Sequence, residues 1–210
     1  MKEMYRNKQA VVLASGSPRR QQYLKEMGLE FTVKTGSVAE QPMTGEKPDD
    51  FVVRMAGEKA AEVSALYPEA WVISGDTVVC LDKKILGKPS GMKEAVALLM
   101  ALSGREHRVI TGFCVTHGSR GVKVVESVTT YVRFTQYSEQ IALAYAATGE
   151  CLDKAGAYGI QGIGGALVES IDGSYSNVVG LPLCQLLQVL MAHDVIEPAL
   201  PGIARGTVAS

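Results

Sequence analysis

The sequence predicts an α/β fold, and three observations carry that expectation. Short apolar runs of strand character, such as Val11-Val12-Leu13 and Trp71-Val72-Ile73, alternate with stretches whose apolar residues recur at helical spacing, as over Pro48–Leu66. Between Arg108 and Phe134 the pattern is β almost throughout, broken only by His117-Gly118-Ser119-Arg120-Gly121. A chain of 210 residues, 47 % of them hydrophobic, is long enough to bury one sizeable core, as one domain or two closely joined lobes.

The elements follow in order. Val11–Leu13 is a strand that breaks into the small-residue turn Ala14-Ser15-Gly16-Ser17. Ser17 is the expected N-cap of the next helix, and Pro18 suits its first position because the N–H that proline lacks would have no partner there. That helix runs from Arg19 to Met27 and Gly28 closes it; Glu30–Lys34 is a second strand. Thr35–Lys47, with two glycines and a proline, is a loop. In Pro48–Leu66, Phe51, Val52, Met55, Ala56, Ala60, Val63 and Leu66 share one helical face, with Lys59 at its border. Trp71–Ser74 reads as a buried strand that stops where Gly75-Asp76 begins the next element, which places Asp76 at a strand end. Thr77–Leu81 and Lys84–Leu86 flank Asp82-Lys83 as a hairpin, and Ser90 caps a helix reaching Leu102. Val109–Thr116 and Val122–Phe134 form a long hairpin in a second lobe; a helix over Ser138–Ala147, a strand over Ala166–Ile171 and a helix over Leu181–Ala192 complete the chain. Residues 1–9 read as a polar N-terminal extension, 10–197 as a single domain, and 198–210 as a flexible tail.

Composition excludes several classes. With 21 Lys and Arg against 22 Asp and Glu, the net charge is −1, so no broad basic field argues for nucleic acid. The apolar runs Ala142–Ala147 and Leu181–Ala192 are too short or too interrupted to span a bilayer, and Met1–Gln9 lacks an apolar signal core. Cys80, Cys114, Cys151 and Cys184 show no Cys-x-x-Cys spacing, which fits reduced, mostly buried thiols and a cytoplasmic location.

Several residues have the chemistry of a polyphosphate site. The turn before Pro18 opens a helix N-terminus, where N–H groups and the helix dipole favour anions; Ser15, Ser17, Arg19 and Arg20 add donors that match phosphate oxygens. An ordinary strand-to-helix connection with two solvated arginines is the alternative. Asp76 can bind a hard divalent ion, take a proton from water, or do neither as a turn aspartate. Lys59 can pack its stem on the helix while its ammonium reaches a cleft, and Lys88 is fixed between Gly87 and Pro89, although either alone also reads as a solvated lysine. Glu40 is a second metal-side carboxylate or a surface acid. A buried glutamine amide at Gln161, flanked by glycines, would present a donor and an acceptor to the O4 and N3–H edge of uracil or thymine; a loop glutamine is the alternative. His107 and Arg108 fit strand entry better than catalysis, Tyr158 and Tyr175 either stack on a base or sit in the core, and Gly162-Ile163-Gly164-Gly165 is a turn, not a dinucleotide fingerprint.

Five stretches, Leu13-Ala14-Ser15-Gly16-Ser17-Pro18-Arg19-Arg20, Ser74-Gly75-Asp76-Thr77, Leu86-Gly87-Lys88-Pro89, Leu152–Gly162 and Asp172–Pro182, resemble in sequence and order the motifs of the Maf family of nucleoside triphosphate pyrophosphatases. The resemblance spans residues 10–192. It implies an elongated, mixed, twisted sheet flanked by helices, with two lobes and a cleft as in inosine triphosphatases, a nucleoside triphosphate substrate, Mg²⁺ or Mn²⁺ as cofactor, and often a homodimer. The family's proton acceptor falls at Asp76, also a metal-side acid, and its triphosphate-contacting lysines fall at Lys59 and Lys88. The branch acting on dTTP and UTP carries Arg-Arg, Asp-Thr and Ile-Gln-Gly where this chain has Arg19-Arg20, Asp76-Thr77 and Ile160-Gln161-Gly162, which implies specificity roles for Arg20, Thr77 and Gln161. The branch acting on 7-methyl-GTP has Trp-Arg, Asp-Gln and Ser-Glu-Gly instead. One departure stands out: Ala39 occupies a place where relatives carry an acid, leaving Glu40 as the substitute. The resemblance also carries a second reading, a nucleotide-binding regulator of cell division without turnover. A kinase is disfavoured, since no Walker-type glycine loop is present.

Overall fold

The computed structural model describes residues 3–200 and is built on one mixed sheet of seven strands. Its β-strands are β1 (Tyr5–Asn7), β2 (Val11–Leu13), β3 (Thr32–Val33), β4 (Trp71–Leu81), β5 (Lys84–Leu86), β6 (Glu106–His117), β7 (Val122–Phe134), β8 (Val168–Asp172) and β9 (Ile196–Pro198). The helices are α1 (Pro18–Glu26), α2 (Pro48–Leu66), α3 (Met92–Leu102), α4 (Glu139–Ala147), α5 (Tyr175–Val179) and α6 (Leu183–Ala192), with two short 3₁₀ segments at Ala155–Ala157 and Ile163–Leu167. The large sheet has the order β3-β2-β4-β6-β7-β8, with β5 on the edge of β4. β2 runs parallel to β3 and β4; the remaining pairs are antiparallel.

Along β4 the side chains alternate between two faces, as any strand requires. Val72, Val78 and Cys80 meet α2, whose Phe51, Val52, Met55, Ala56, Ala60 and Val63 cover that face from end to end. The opposite face is shared. Trp71 and Ile73 pack with Leu24 of α1 and Leu186 and Leu190 of α6, whereas Val79 and Leu81 pack with Leu99 of α3 and Ala142 and Tyr145 of α4. Gly75 and Thr77 lie between these two helix groups, and the cleft opens there.

Asp76 is not at a strand end. β4 runs unbroken from Trp71 to Leu81, paired with β6 from Trp71↔His117 to Cys80↔Arg108, and Asp76 stands opposite Gly112. A glycine inside an apolar run reads as a strand breaker, whereas pairing with β6 holds Gly75 in the strand. The exposure expected of a strand end arises differently. On the other edge of β4, β2 pairs only as far as Leu13↔Ile73 and β5 begins only at Val79↔Leu86. Ser74–Val78 therefore has no strand neighbour on that side.

Other boundaries shifted less. The second strand shortens to β3, the helix expected over Leu181–Ala192 begins at Leu183, and the strand expected over Ala166–Ile171 runs over Val168–Asp172. Ser17 takes the N-cap position and Pro18 the first turn, but the Ser17 hydroxyl does not cap the helix. Within residues 1–9, β1 pairs antiparallel with β9, and Pro198 belongs to that pair; the rest of the expected tail from residue 201 onward lies outside the described residues. Cys80, Cys114 and Cys151 are buried and Cys184 is exposed, all as free thiols. Among the described residues no helix is long and apolar enough to cross a membrane.

Candidate functional site

The cleft has a volume of about 750 Å³, and every residue expected to hold phosphate, metal or base lines it: Ser15, Ser17, Arg19, Arg20, Glu40, Lys59, Asp76, Thr77, Lys88 and Gln161. Their partners divide them into an Arg20 group, a Lys59 group and a less engaged remainder.

Arg20 belongs to the wall. Its guanidinium donates through Nε to the Gly180 carbonyl (2.8 Å), through Nη1 to Ser15 Oγ (3.0 Å) and through Nη2 to Thr77 Oγ1 (3.0 Å). Burial, the largest influence, pulls its pKa below the ordinary arginine value; Arg19 pushes the same way against Asp76 and Glu40. The arginine thus joins α1, β4 and the end of α5. Thr77 Oγ1 also lies 2.9 Å from Thr111 Oγ1, which donates to the Asn177 carbonyl at 3.1 Å. Asn177 is fully buried and donates through Nδ2 to the Val109 carbonyl and to Thr130 Oγ1. Thr111 and Asn177 were missed in the sequence; the only signal was the position of Asn177 inside the Asp172–Pro182 stretch.

Lys59 ties two acids together. Its ammonium lies 2.7 Å from Asp76 Oδ1 and 2.6 Å from Glu40 Oε1, and Ser74 Oγ donates to the Ala56 carbonyl at 2.5 Å, pinning β4 to α2 beside them. Partial burial pushes the Glu40 carboxyl up, but the combined pull of Lys59, Lys88 and Arg20 outweighs it and holds the group below the usual carboxylate value. Glu40, next to Ala39 in sequence, thus shares the Lys59 ammonium with Asp76.

The remaining cations are less engaged. Arg19 sits 3.5 Å from Asp153, and Lys88 makes no ion pair among the described residues. Gln161 corrects an expectation. It is exposed rather than buried, in the partly exposed loop Gly159–Gly162 that connects the two 3₁₀ segments and lines the cleft; nothing among the described residues pairs with its amide. Glu150, Asp153 and Lys154 also line the cleft and were not singled out in the sequence.

The tempting residues outside this group have other partners. His107 is buried, its Nε2 2.8 Å from Tyr158 Oη, with the ring edge-on to Phe134 and Tyr158. Tyr158 reaches the cleft wall but is 5 % exposed, and Tyr175 is exposed. Gly162–Gly165 leads into the second 3₁₀ segment, with no strand before it.

A helix N-terminus, an arginine-braced turn and a lysine–dicarboxylate cluster lie together in one cleft of a mixed sheet, in an α/β protein. The same fold appears in a solved HAM1 protein from Coxiella burnetii, with a TM-score of 0.50 at 15 % identity over 88 % of this chain and 99 % of that one. The chain belongs to the Maf family, whose description, Maf-like protein, matches residues 10–193. A Desulfotalea psychrophila protein named dTTP/UTP pyrophosphatase is 49 % identical over 92 % of this chain and 100 % of its own length. One of the same name from Geobacter metallireducens is 46 % identical over 86 % of this chain and 94 % of its own.

Proposed function

We propose that the chain is a nucleoside triphosphate pyrophosphatase that hydrolyses dTTP and UTP to the nucleoside monophosphate and pyrophosphate. The observation that carries this reading is Asp76, held by Lys59 in the unpaired edge of β4 and facing the same cleft as the N-terminus of α1. Relatives that match over most of the chain at 43–49 % identity carry the name dTTP/UTP pyrophosphatase.

Charge in the cleft supports a metal-bound substrate. Five cations, Arg19, Arg20, Lys59, Lys88 and Lys154, face four carboxylates, Glu40, Asp76, Glu150 and Asp153. That excess falls well short of the roughly four negative charges of a nucleoside triphosphate, which phosphoryl transfer requires to be neutralised. Among the described residues no three His, Cys, Asp or Glu side chains form a metal cage. The donors that fit Mg²⁺ or Mn²⁺ are the carboxylates of Asp76 and Glu40, hard oxygen ligands that converge on the Lys59 ammonium, together with oxygens of the triphosphate itself. Bound there, a divalent cation would supply charge neutralisation on the phosphates.

The residues of the chain account for the rest. Lys88, Arg19 and the first turn of α1 grip the triphosphate. Ser15 and Ser17 shape that turn: Ser15 Oγ accepts from the Ser17 N–H and from Arg20. Lys59 occupies Asp76 Oδ1 and fixes the orientation of the carboxylate; Oδ2 is assigned as proton acceptor. A water oxygen bonds to the α-phosphorus, its proton passes to Asp76, and the bond from the α-phosphorus to the α–β bridging oxygen breaks to release pyrophosphate. Arg20 and Thr77 hold the wall beside the nucleoside, and the Gln161 amide reads the pyrimidine edge. The reading places the protein in the cytoplasm and, with the family, as a homodimer, which sedimentation equilibrium would test.

Product analysis across UTP, dTTP, CTP and 7-methyl-GTP, with and without divalent metal, is the direct test. Pyrophosphate should appear with UTP and dTTP only when metal is present. Orthophosphate released from the γ position, or a preference for 7-methyl-GTP, would overturn the reaction or the selectivity respectively. Metal-independent binding without turnover would favour the regulator.

A further inference from the structure

Among the described residues the Gln161 side chain has no partner, so what places its amide acts through the backbone of its loop. Two side chains do so from outside the loop. Tyr145 Oη accepts from the Gly159 N–H at 3.0 Å and donates to Glu150 Oε1 at 2.9 Å. The Glu150 carboxylate then accepts from the Ile163 N–H (2.9 Å, Oε2) and the Gly164 N–H (3.1 Å, Oε1). One continuous chain of hydrogen bonds thus brackets the loop on both sides of Gln161.

The fit is close. A Cβ at Gly162 would fall on the Glu150 carboxylate, so the glycine lets the carboxylate lie against the loop. The anchor is rigid as well: Tyr145 is 4 % exposed and packs in the core under α3 and α4. Burial pushes the Glu150 carboxyl up, yet the two N–H groups, the Tyr145 hydroxyl and Lys154 more than offset it, so the acceptor stays below the usual carboxylate value.

We propose that Tyr145 and Glu150 are positioning residues for base selection, forming a clamp that sets the Gln161 amide against the pyrimidine edge. The proposal rests on the reading of Gln161 as the base-recognising residue. A recognition amide must be held within a fraction of an ångström to discriminate between bases, and an exposed glutamine in a glycine-rich loop lacks that precision unless the backbone is clamped.

The test uses Tyr145→Phe, Glu150→Ala and Gln161→Ala in the intact protein. It measures kcat and KM for UTP and CTP and the inhibition constant of inorganic tripolyphosphate, which has no base. Tyr145→Phe keeps the ring packing, so it serves where Glu150→Ala does not fold. Each clamp variant should lower the UTP-to-CTP ratio of kcat/KM by about tenfold, mostly through KM for UTP, while tripolyphosphate inhibition stays within about twofold. If Gln161→Ala alone lowers the ratio, the clamp is refuted and the reading of Gln161 stands. If Gln161→Ala leaves the ratio unchanged, that reading fails and the proposal goes with it. Parallel loss of tripolyphosphate and UTP binding would make the clamp a general scaffold and overturn the proposal.

Discussion

Arg20 and Lys59 show what a residue type conveys and what it leaves out. Both are cations lining one cleft, yet Arg20 directs its donors to Gly180, Ser15 and Thr77, and Lys59 pairs with Asp76 and Glu40. Their chemistry was legible in the sequence; partners such as Thr77, 57 residues from Arg20, and Asp76, 17 residues from Lys59, were not. The pairing has a consequence for Asp76. Its carboxylate is oriented by Lys59, so replacing Asp76 by Asn keeps the shape and an acceptor oxygen but removes the basic group. Turnover of UTP in Asp76→Asn should fall by about 10²- to 10⁴-fold, the range for loss of a general base. Binding of a non-hydrolysable UTP analogue, followed by calorimetry, should persist. Retained turnover would remove Asp76 from the mechanism.

At the scale of elements, β4 and β6 organise the site. The long hairpin of β6 and β7 and the helices α2, α3 and α4 were legible because their periodicity is sustained over nine residues or more. The continuity of β4 was not, because a strand carrying a glycine at its centre looks broken until its partner is known. Nor was the β1–β9 pair, two three-residue strands from opposite ends of the chain. The partner of the Gly75-Asp76 segment has a glycine too, and for a packing reason. A Cβ at Gly112 would fall on the Val52 carbonyl, so α2 crosses β6 in backbone contact, which brings Lys59 within reach of Asp76. Gly112→Ala must push α2 outward, and overpacking of backbone against backbone should cost about 2–4 kcal/mol. The urea midpoint would report the loss, and kcat/KM should fall with it as the Lys59–Asp76 contact lengthens. An unchanged midpoint would show that α2 moves freely on the sheet.

The whole molecule joins two helix groups on one face of a shared sheet, with the N-terminus of α1 and the Gly159–Gly162 loop both lining the cleft between them. The second group contains a pH-sensitive element. Burial drives the His107 imidazole down to about 4, because its ring lies between Phe134 and Tyr158 with Nδ1 unpaired. In the unfolded chain an ordinary histidine titrates near 6.5. The folded pKa is therefore depressed. Above about pH 6.5 both states are neutral at this site, and stability is at its full value there. As pH falls from about 6.5 to 4 the unfolded chain takes up the proton first and stability declines, levelling off once the folded ring also protonates. The shift corresponds to about 3.5 kcal/mol, converted at roughly 1.4 kcal/mol per unit. Glu40, Glu150 and Asp153 are held below their usual values, so their own losses begin only as pH falls past the ordinary carboxylate range. Between pH 6.5 and 4.5 the histidine should dominate. Urea unfolding of the wild type across that interval should show a falling midpoint, and His107→Gln, which can still bond Tyr158 Oη, should flatten it. An equal slope in the variant would assign the proton uptake to another group. Because Tyr158 joins His107 to the cleft wall, the same fall should precede loss of UTP binding on acidification.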